Sequence, residues 1–267
     1  MKLVYFDQPY YGQLLRPANR GLCNMLRGLV DAGHIACPVS MAHLVETLKT
    51  PRPDTRANLG ELMVRLSGGK AVSGQNILWG LEWRAYVDGH RADWVREHML
   101  NDGESLLPLL ASLGHLDLDS TAPHLASQVD LTLGRAAAQS NEMQLGWASA
   151  RDQAVENLGD ASVEAPETRD DFFRAFPSLA IRVALEEAAR KHTKGGVNGN
   201  DLIDFSAVGW VLTYFDLIAV DKATGARVED ASAAGNLPLG MAVVVRFLRE
   251  LRGGLEQVIG GVEQEDV

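Results

Sequence analysis

The stretch that most constrains this chain is Asn200 to Lys222, NDLIDFSAVGWVLTYFDLIAVDK. Four aspartates, Asp201, Asp204, Asp216 and Asp221, stand among apolar residues there, where a carboxylate is costly unless it is hydrogen-bonded or paired with a cation. Asp201 and Asp204 are three apart, which sets them on one face near the start of a helix. Leu202, Ile203, Phe205, Val208, Trp210, Val211 and Leu212 cover most of the circumference of that helix, so burial on more than one side is expected. Residues 215–220 then read as a buried strand of a parallel sheet that ends in Asp221. In open α/β sheets the residue just past a strand's carboxyl end faces the crevice where ligands bind. A helix opening with acids, followed by a strand ending in one, can collect carboxylates around a divalent metal.

The N-terminus repeats that geometry. Residues 2–6 carry β-prone Leu3, Val4, Tyr5 and Phe6 and run straight into Asp7, predicting a first strand that delivers an acid at its carboxyl end. Residues 16–32 have Leu22, Met25, Leu26, Leu29 and Val30 at helical spacing, and Gly33 stops the helix. Residues 34–39 form a short strand-like run. Ser40 is the expected N-cap of a helix with Met41, Leu44, Val45 and Leu48 on its apolar face. Glu46 sits beside that stripe and could point toward a cleft; His43, one turn before it, could face the same cleft, with the helix surface as the plainer reading. Pro51 and Pro53 end the helix.

A further helix is expected over 54–66, before a turn at Gly68 and Gly69. Residues 77–87 fit a strand or a helix equally. From about 90 to 174 the sequence is rich in alanine, leucine and polar residues with helical periods at 94–100, 105–113, 121–138 and 141–158 and no β signal, which predicts a mostly helical insertion in an α/β core. A strong helix follows at 176–193, then a Gly- and Asn-rich loop at 194–200. After Asp221 a short helix or turn over 222–224 leads to Gly225. An apolar C-terminal helix is expected over 237–251, with a frayed acidic tail from Glu256.

At 267 residues the chain suits one large domain. Its formal net charge of −10, from 35 acidic and 25 basic residues, excludes a general binder of nucleic acid or anionic membranes, so any nucleic-acid substrate would rest on a local basic patch and metal ions. Cys23 and Cys37 are too few for a disulfide scaffold, which makes reduced thiols in a cytoplasmic protein the expectation. No apolar run is long enough to span a membrane, and the N-terminus meets an acid too early for a signal peptide.

In order along the chain, the motifs are Asp7-Gln8, Ser40-Met41-Ala42-His43-Leu44-Val45-Glu46-Thr47, Asn200-Asp201-Leu202-Ile203-Asp204, Tyr214-Phe215-Asp216 and Asp221-Lys222. The chain thereby resembles the PIN-domain family of metal-dependent ribonucleases, and more closely a bacterial PIN-like branch, over about residues 1–67 and 176–225. The resemblance implies a three-layer α/β/α sandwich with a mainly parallel central sheet, in a single domain over 1–267. It also implies a metal-dependent endoribonuclease, such as the toxin of a toxin–antitoxin or phage-defence system. Asp7, Glu46, Asp204 and Asp221 would bind one or two Mg²⁺ or Mn²⁺ ions, whose preference for oxygen ligands suits an all-carboxylate site. Asp201 and Asp216 would add ligands or hold those that bind, and Lys222 would contact the scissile phosphate. RNA, an antitoxin protein and a second copy of the chain are the partners implied.

Plainer readings stand beside these. Asp201 also fits an N-cap, and Asp216 the end of a helix or the start of a strand. Gly68-Gly69-Lys70 lacks the full phosphate-loop spacing, and Leu116-Asp117-Leu118-Asp119 reads as a solvated loop. A haloacid-dehalogenase-type phosphatase would also start with a strand-borne Asp, but Pro9 stands where its second Asp would be. The alternative of a different class is a catalytically inactive PIN-like module that binds a protein partner.

Overall fold

In the computed structural model, the β-prone run after Met1 forms strand β1 (Lys2–Phe6), with four of its side chains buried. The structure describes residues 1–115, 147–158, 166–192, 199–234, 237 and 242–260, with backbone alone at 75, 76, 157, 191, 192, 199–204 and 206. After β1 the chain passes through α1 (Gln8–Leu14), α2 (Arg20–Asp31), β2 (Ile35–Ala36), α3 (Met41–Leu48), α4 (Pro53–Leu66) and β3 (Ala71–Val72). It continues with α5 (Gln75–Asp88), α6 (Ala92–His98), β4 (Leu100–Asn101), α7 (Leu106–Ala111), α8 (Trp147–Leu158) and α9 (Arg169–Ala175). The last third holds α10 (Pro177–His192), α11 (Gly199–Tyr214), β5 (Leu217–Ala219), α12 (Lys222–Ala233), β6 (Val243–Val245) and α13 (Leu251–Ile259).

The fold is mostly helical around a four-stranded sheet of order β2-β1-β5-β6 in which every pairing is parallel. Strand side chains alternate between the two faces. Leu3, Tyr5 and Ile218 join a core with Ile181 and Leu185 of α10 and Phe205, Val211 and Leu212 of α11. Val4, Phe6, Leu217, Ala219 and Val245 join the other core, with Tyr10 and Tyr11 of α1, Leu62 and Met63 of α4 and Leu255 of α13. Helices thus cover both faces, as a parallel sheet requires. A third cluster, Trp79, Ala150, Ala154, Phe172, Phe176 and Leu179, ties α5, α8 and α9 to the start of α10.

Several sequence expectations hold and several change. The helices at 16–32, 40–48, 54–66, 105–113 and 176–193 are present, within a few residues of the expected ends. Gly33 and Gly68 adopt φ of 72° and 61° at their turns, the left-handed conformation that glycine takes without penalty. The ambiguous run 77–87 is helix α5. The helix expected over 237–251 is not formed at its described residues 242–247. Its β-branched triplet Val243-Val244-Val245 pairs with β5, because a strand edge was open to it and β-branched side chains pack well on a pleated surface. The helix after Asp221 runs to Ala233 instead of stopping at Gly225, which the stem of Arg246 covers.

The described parts of the region 90–174 contact the rest of the fold. Leu100–Asn101 pairs antiparallel with β3, α7 packs on α4, and Arg96 of α6 reaches the central sheet. The expected helix at 121–138, the loop at 116–119 and most of the 194–200 loop lie outside the described residues.

Helix α5 carries Glu82, which is 2% exposed and has only neutral partners. It accepts hydrogen bonds from the Ser178 amide (3.0 Å), the Ser178 hydroxyl (2.9 Å) and the Tyr214 hydroxyl (2.7 Å). Burial pushes its carboxyl up to about 7, against the pull of those donors.

Helix α11 packs closely on α10 through Gly209. A Cβ there would lie 2.6 Å from the Ser178 carbonyl oxygen. Gly209→Ala should therefore destabilise the protein by about 1–3 kcal/mol. Gly28→Ala, in the interior of α2 with nothing within 4 Å, should stabilise it by about 0.5–1 kcal/mol. Urea denaturation of the two variants checks both signs.

Candidate functional site

The sheet order places a topological switch point between β1 and β5. From β1 the chain moves outward to β2, and from β5 it moves outward in the opposite direction to β6. The crevice beyond the carboxyl ends of two such strands is where open α/β sheets bind ligands. Asp7 and Asp221 emerge there, one residue beyond β1 and two beyond β5.

Their peptide groups interlock. The Asp7 amide donates to the Ala219 carbonyl at 2.8 Å. The Asp221 amide lies close enough to the Asp7 carboxylate to favour its charge. Asp7 also N-caps α1 by accepting from the Gln8 amide at 2.8 Å, and Asp221 N-caps α12 by accepting from the Thr224 amide at 2.7 Å. Each acid thus stands at a helix N-terminus, where backbone amides and the helix dipole favour negative charge.

Asp7 is nevertheless hard to ionise. Burial is the main cause that pushes its carboxyl up to about 6, and the charges of Asp221 and Glu46 add to the rise while the two amides oppose it. Asp7, Asp221 and Glu46 are therefore brought within electrostatic reach of one another. Glu46, on α3, is half exposed and pairs with Lys49. Lys222 is exposed as the first residue of α12, directly after Asp221.

Asp216 is not brought to this group. It precedes β5, whereas Asp221 follows it, so the two lie at opposite ends of the strand. Its carboxylate accepts from the Leu3 amide at 2.8 Å and pairs with Lys2 at 3.1 Å and with Arg96. Burial would raise its pKa, but the hydrogen bonds from Arg96, Leu3 and Lys2 and the Arg96 charge outweigh that and hold it below the usual value. Asp216 pins the start of β1 to the start of β5. Asp201 and Asp204 lie in the first two turns of α11, so Asp201 is inside the helix and not its N-cap; their side chains lie outside the described residues. Among the described residues, no three His, Cys, Asp or Glu side chains are close enough together to hold a metal ion.

Two residues outside the expected set of site residues frame the site. His43 is 2% exposed, so the plainer reading of it as a helix-surface residue does not hold. Its Nδ1 accepts the Ser40 amide at 3.0 Å, so the proton of the neutral ring sits on Nε2, which donates to the Phe6 carbonyl at 2.8 Å. The signal was the spacing Ser40-x-x-His43, a capping box with imidazole in place of the usual Glu or Gln. Tyr10 is also buried, its hydroxyl 3.2 Å from the carbonyl oxygens of both Val220 and Val245.

The raised pKa of Asp7 sets a sign for stability. The unfolded chain loses this proton near the ordinary value of about 4 and the native state near 6. Between those values the native state binds more protons, so the Asp7 contribution weakens stability as pH rises from about 4 to about 6. Asp7→Asn, which keeps a capping oxygen, should raise stability at pH 7 by on the order of 2 kcal/mol, with the gain vanishing below about pH 4. Urea melts of both proteins across pH 4–8 measure the difference, in which the similar penalty from Glu82 cancels.

No family model, no curated protein and no solved structure matches this chain.

Proposed function

We propose that the protein is a Mg²⁺- or Mn²⁺-dependent endoribonuclease of PIN-like type, a three-layer α/β/α domain with a mostly helical insertion at about 90–174. The observation that carries this reading is the pair Asp7 and Asp221, set on adjacent parallel strands at the topological switch point with the charge of Glu46 acting on them. Burial, with the charges of Asp221 and Glu46 added, hinders the ionisation of Asp7, and a cation bound there would relieve both.

Asp204 completes the proposed set. Helix α11 hands over to β5 through the turn at Phe215 and Asp216, so it runs antiparallel to the strand and begins toward the sheet's carboxyl edge. The Arg227 guanidinium of α12 lies over the Phe205 ring, 5.1 Å from its centroid, and supports that orientation. Asp7, Glu46, Asp204 and Asp221 would hold the ion or ions, and Lys222 would meet the scissile phosphate. A hard divalent cation bound there would lower the pKa of a water for attack on a phosphodiester and stabilise the leaving oxygen. With 35 acidic against 25 basic residues, affinity for RNA would come from that centre and local cations more than from the overall field.

Calorimetric titration of Mn²⁺ into the wild type and the Asp204→Asn/Asp221→Asn double variant tests the reading. Micromolar to low-millimolar binding is expected in the wild type and its loss in the variant, with the circular dichroism unchanged. Mn²⁺-dependent cleavage of a fluorescent single-stranded RNA by the wild type alone completes the expectation. A wild type that binds no Mn²⁺ would sink the proposal in favour of an inactive PIN-like module.

A further inference from the structure

The two strand-end acids are attached to peptide groups that other elements hold, the first at both its carbonyl and its N–H and the second at its carbonyl. The peptide between Phe6 and Asp7 has its carbonyl bound by His43 Nε2 at 2.8 Å and its N–H bound to the Ala219 carbonyl at 2.8 Å. The peptide between Val220 and Asp221 has its carbonyl 3.2 Å from the Tyr10 hydroxyl, and its N–H lies near enough to the Asp7 carboxylate to favour its charge. Beyond the ends of β1 and β5 the ladder that would hold these planes is running out, and side chains take over. The residues that do so are buried and come from helices α1 and α3 on one side of the sheet.

We infer that His43 and Tyr10 are positioning residues of the acidic site, each fixing the peptide plane from which one of the two strand-end carboxylates projects. The inference rests on the proposed metal-binding reading of that site. Both residues act through backbone carbonyls and touch neither a substrate nor the acids' own oxygens. The His43 contact also couples two elements. Its ring is held by the Ser40 amide at the start of α3, the helix that carries Glu46, so one imidazole registers α3 against the end of β1. Tyr10 does the same for two strands. From α1, which Asp7 caps, its single proton is shared between the Val220 carbonyl just past β5 and the Val245 carbonyl at the end of β6. The neighbouring Tyr11 packs edge-on against both Phe6 and His43, so the imidazole has little room to rotate away.

Three variants separate positioning from mere support of the core. Tyr10→Phe removes only the hydroxyl and keeps the ring beside Phe6. His43→Leu removes the donor, and His43→Gln restores an N–H donor at a similar reach. Mn²⁺ affinity is measured by calorimetry well below the melting temperature of each folded variant. Protection of the Asp7 and Asp221 amides is measured without metal by hydrogen exchange. Positioning predicts a loss of Mn²⁺ affinity of about 10–100-fold in Tyr10→Phe and His43→Leu, with most of it recovered in His43→Gln. It also predicts that exchange at the Asp221 amide accelerates at least about tenfold in Tyr10→Phe while amides in the middle of α10 keep their protection.

The outcomes are distinguishable. Accelerated exchange in a protein whose wild type binds no Mn²⁺ overturns the metal reading and keeps the two residues as clamps on the acids. Unchanged exchange at both amides, or unchanged affinity in variants of a wild type that does bind, overturns the inference.

Discussion

The structure depends on the parallel pairing of β1 with β5. Val4, Tyr5 and Phe6 align with Leu217, Ile218 and Ala219, partners more than two hundred positions apart in sequence. Closing so long a loop costs only modestly more entropy than closing a short one, since the cost grows with the logarithm of length. It does require that both strands be apolar enough to be buried on two faces, and the run from Leu3 to Phe6 meets that demand. The pairing is pinned at one end by Asp216, which gathers Lys2, the Leu3 amide and Arg96, and at the other by the interlocked backbones of Asp7 and Asp221.

Three buried or half-buried carboxylates on this framework behave differently because their partners differ. Asp216 meets two cations and an amide, and its ionised form is favoured. Glu82 meets hydroxyls and an amide but, among the described residues, no cation, so its proton is retained to about pH 7. Asp7 meets two amides and two like charges, and lies between these cases at about 6. Only the last has negative neighbours, and only the last faces the crevice at the switch point. An arrangement that costs stability at neutral pH is common where charge is gathered for binding.

Much of the frame was legible. Strand β1, the acid after it, the amphipathic helices α2, α3 and α4, and the strand that ends before Asp221 follow from periodicity and from capping or glycine signals. The failures have physical causes. The run 77–87 shows no clear apolar period, because Ile77, Tyr86 and Val87 are exposed while the buried face of α5, with Leu78, Trp79 and Ala85, includes the acid Glu82. Val243–Val245 sat within a longer apolar stretch whose strand state depended on the free edge of β5. His43 was indistinguishable from a surface histidine, since its burial comes from Phe6 and Tyr11, which local spacing does not bring near it.

By itself, then, the sequence determined which segments are helix or strand wherever one face of an element is polar, and it determined that acids follow two of the apolar runs, since both facts are local. Tertiary structure decided the rest. It decided that Asp7 and Asp221 are neighbours while Asp216, only five residues from Asp221, is at the far end of the strand, because a strand separates its two ends in space however close they are in the chain. It also decided the ionisation of each acid, because desolvation and the sign of neighbouring charges depend on which elements pack together.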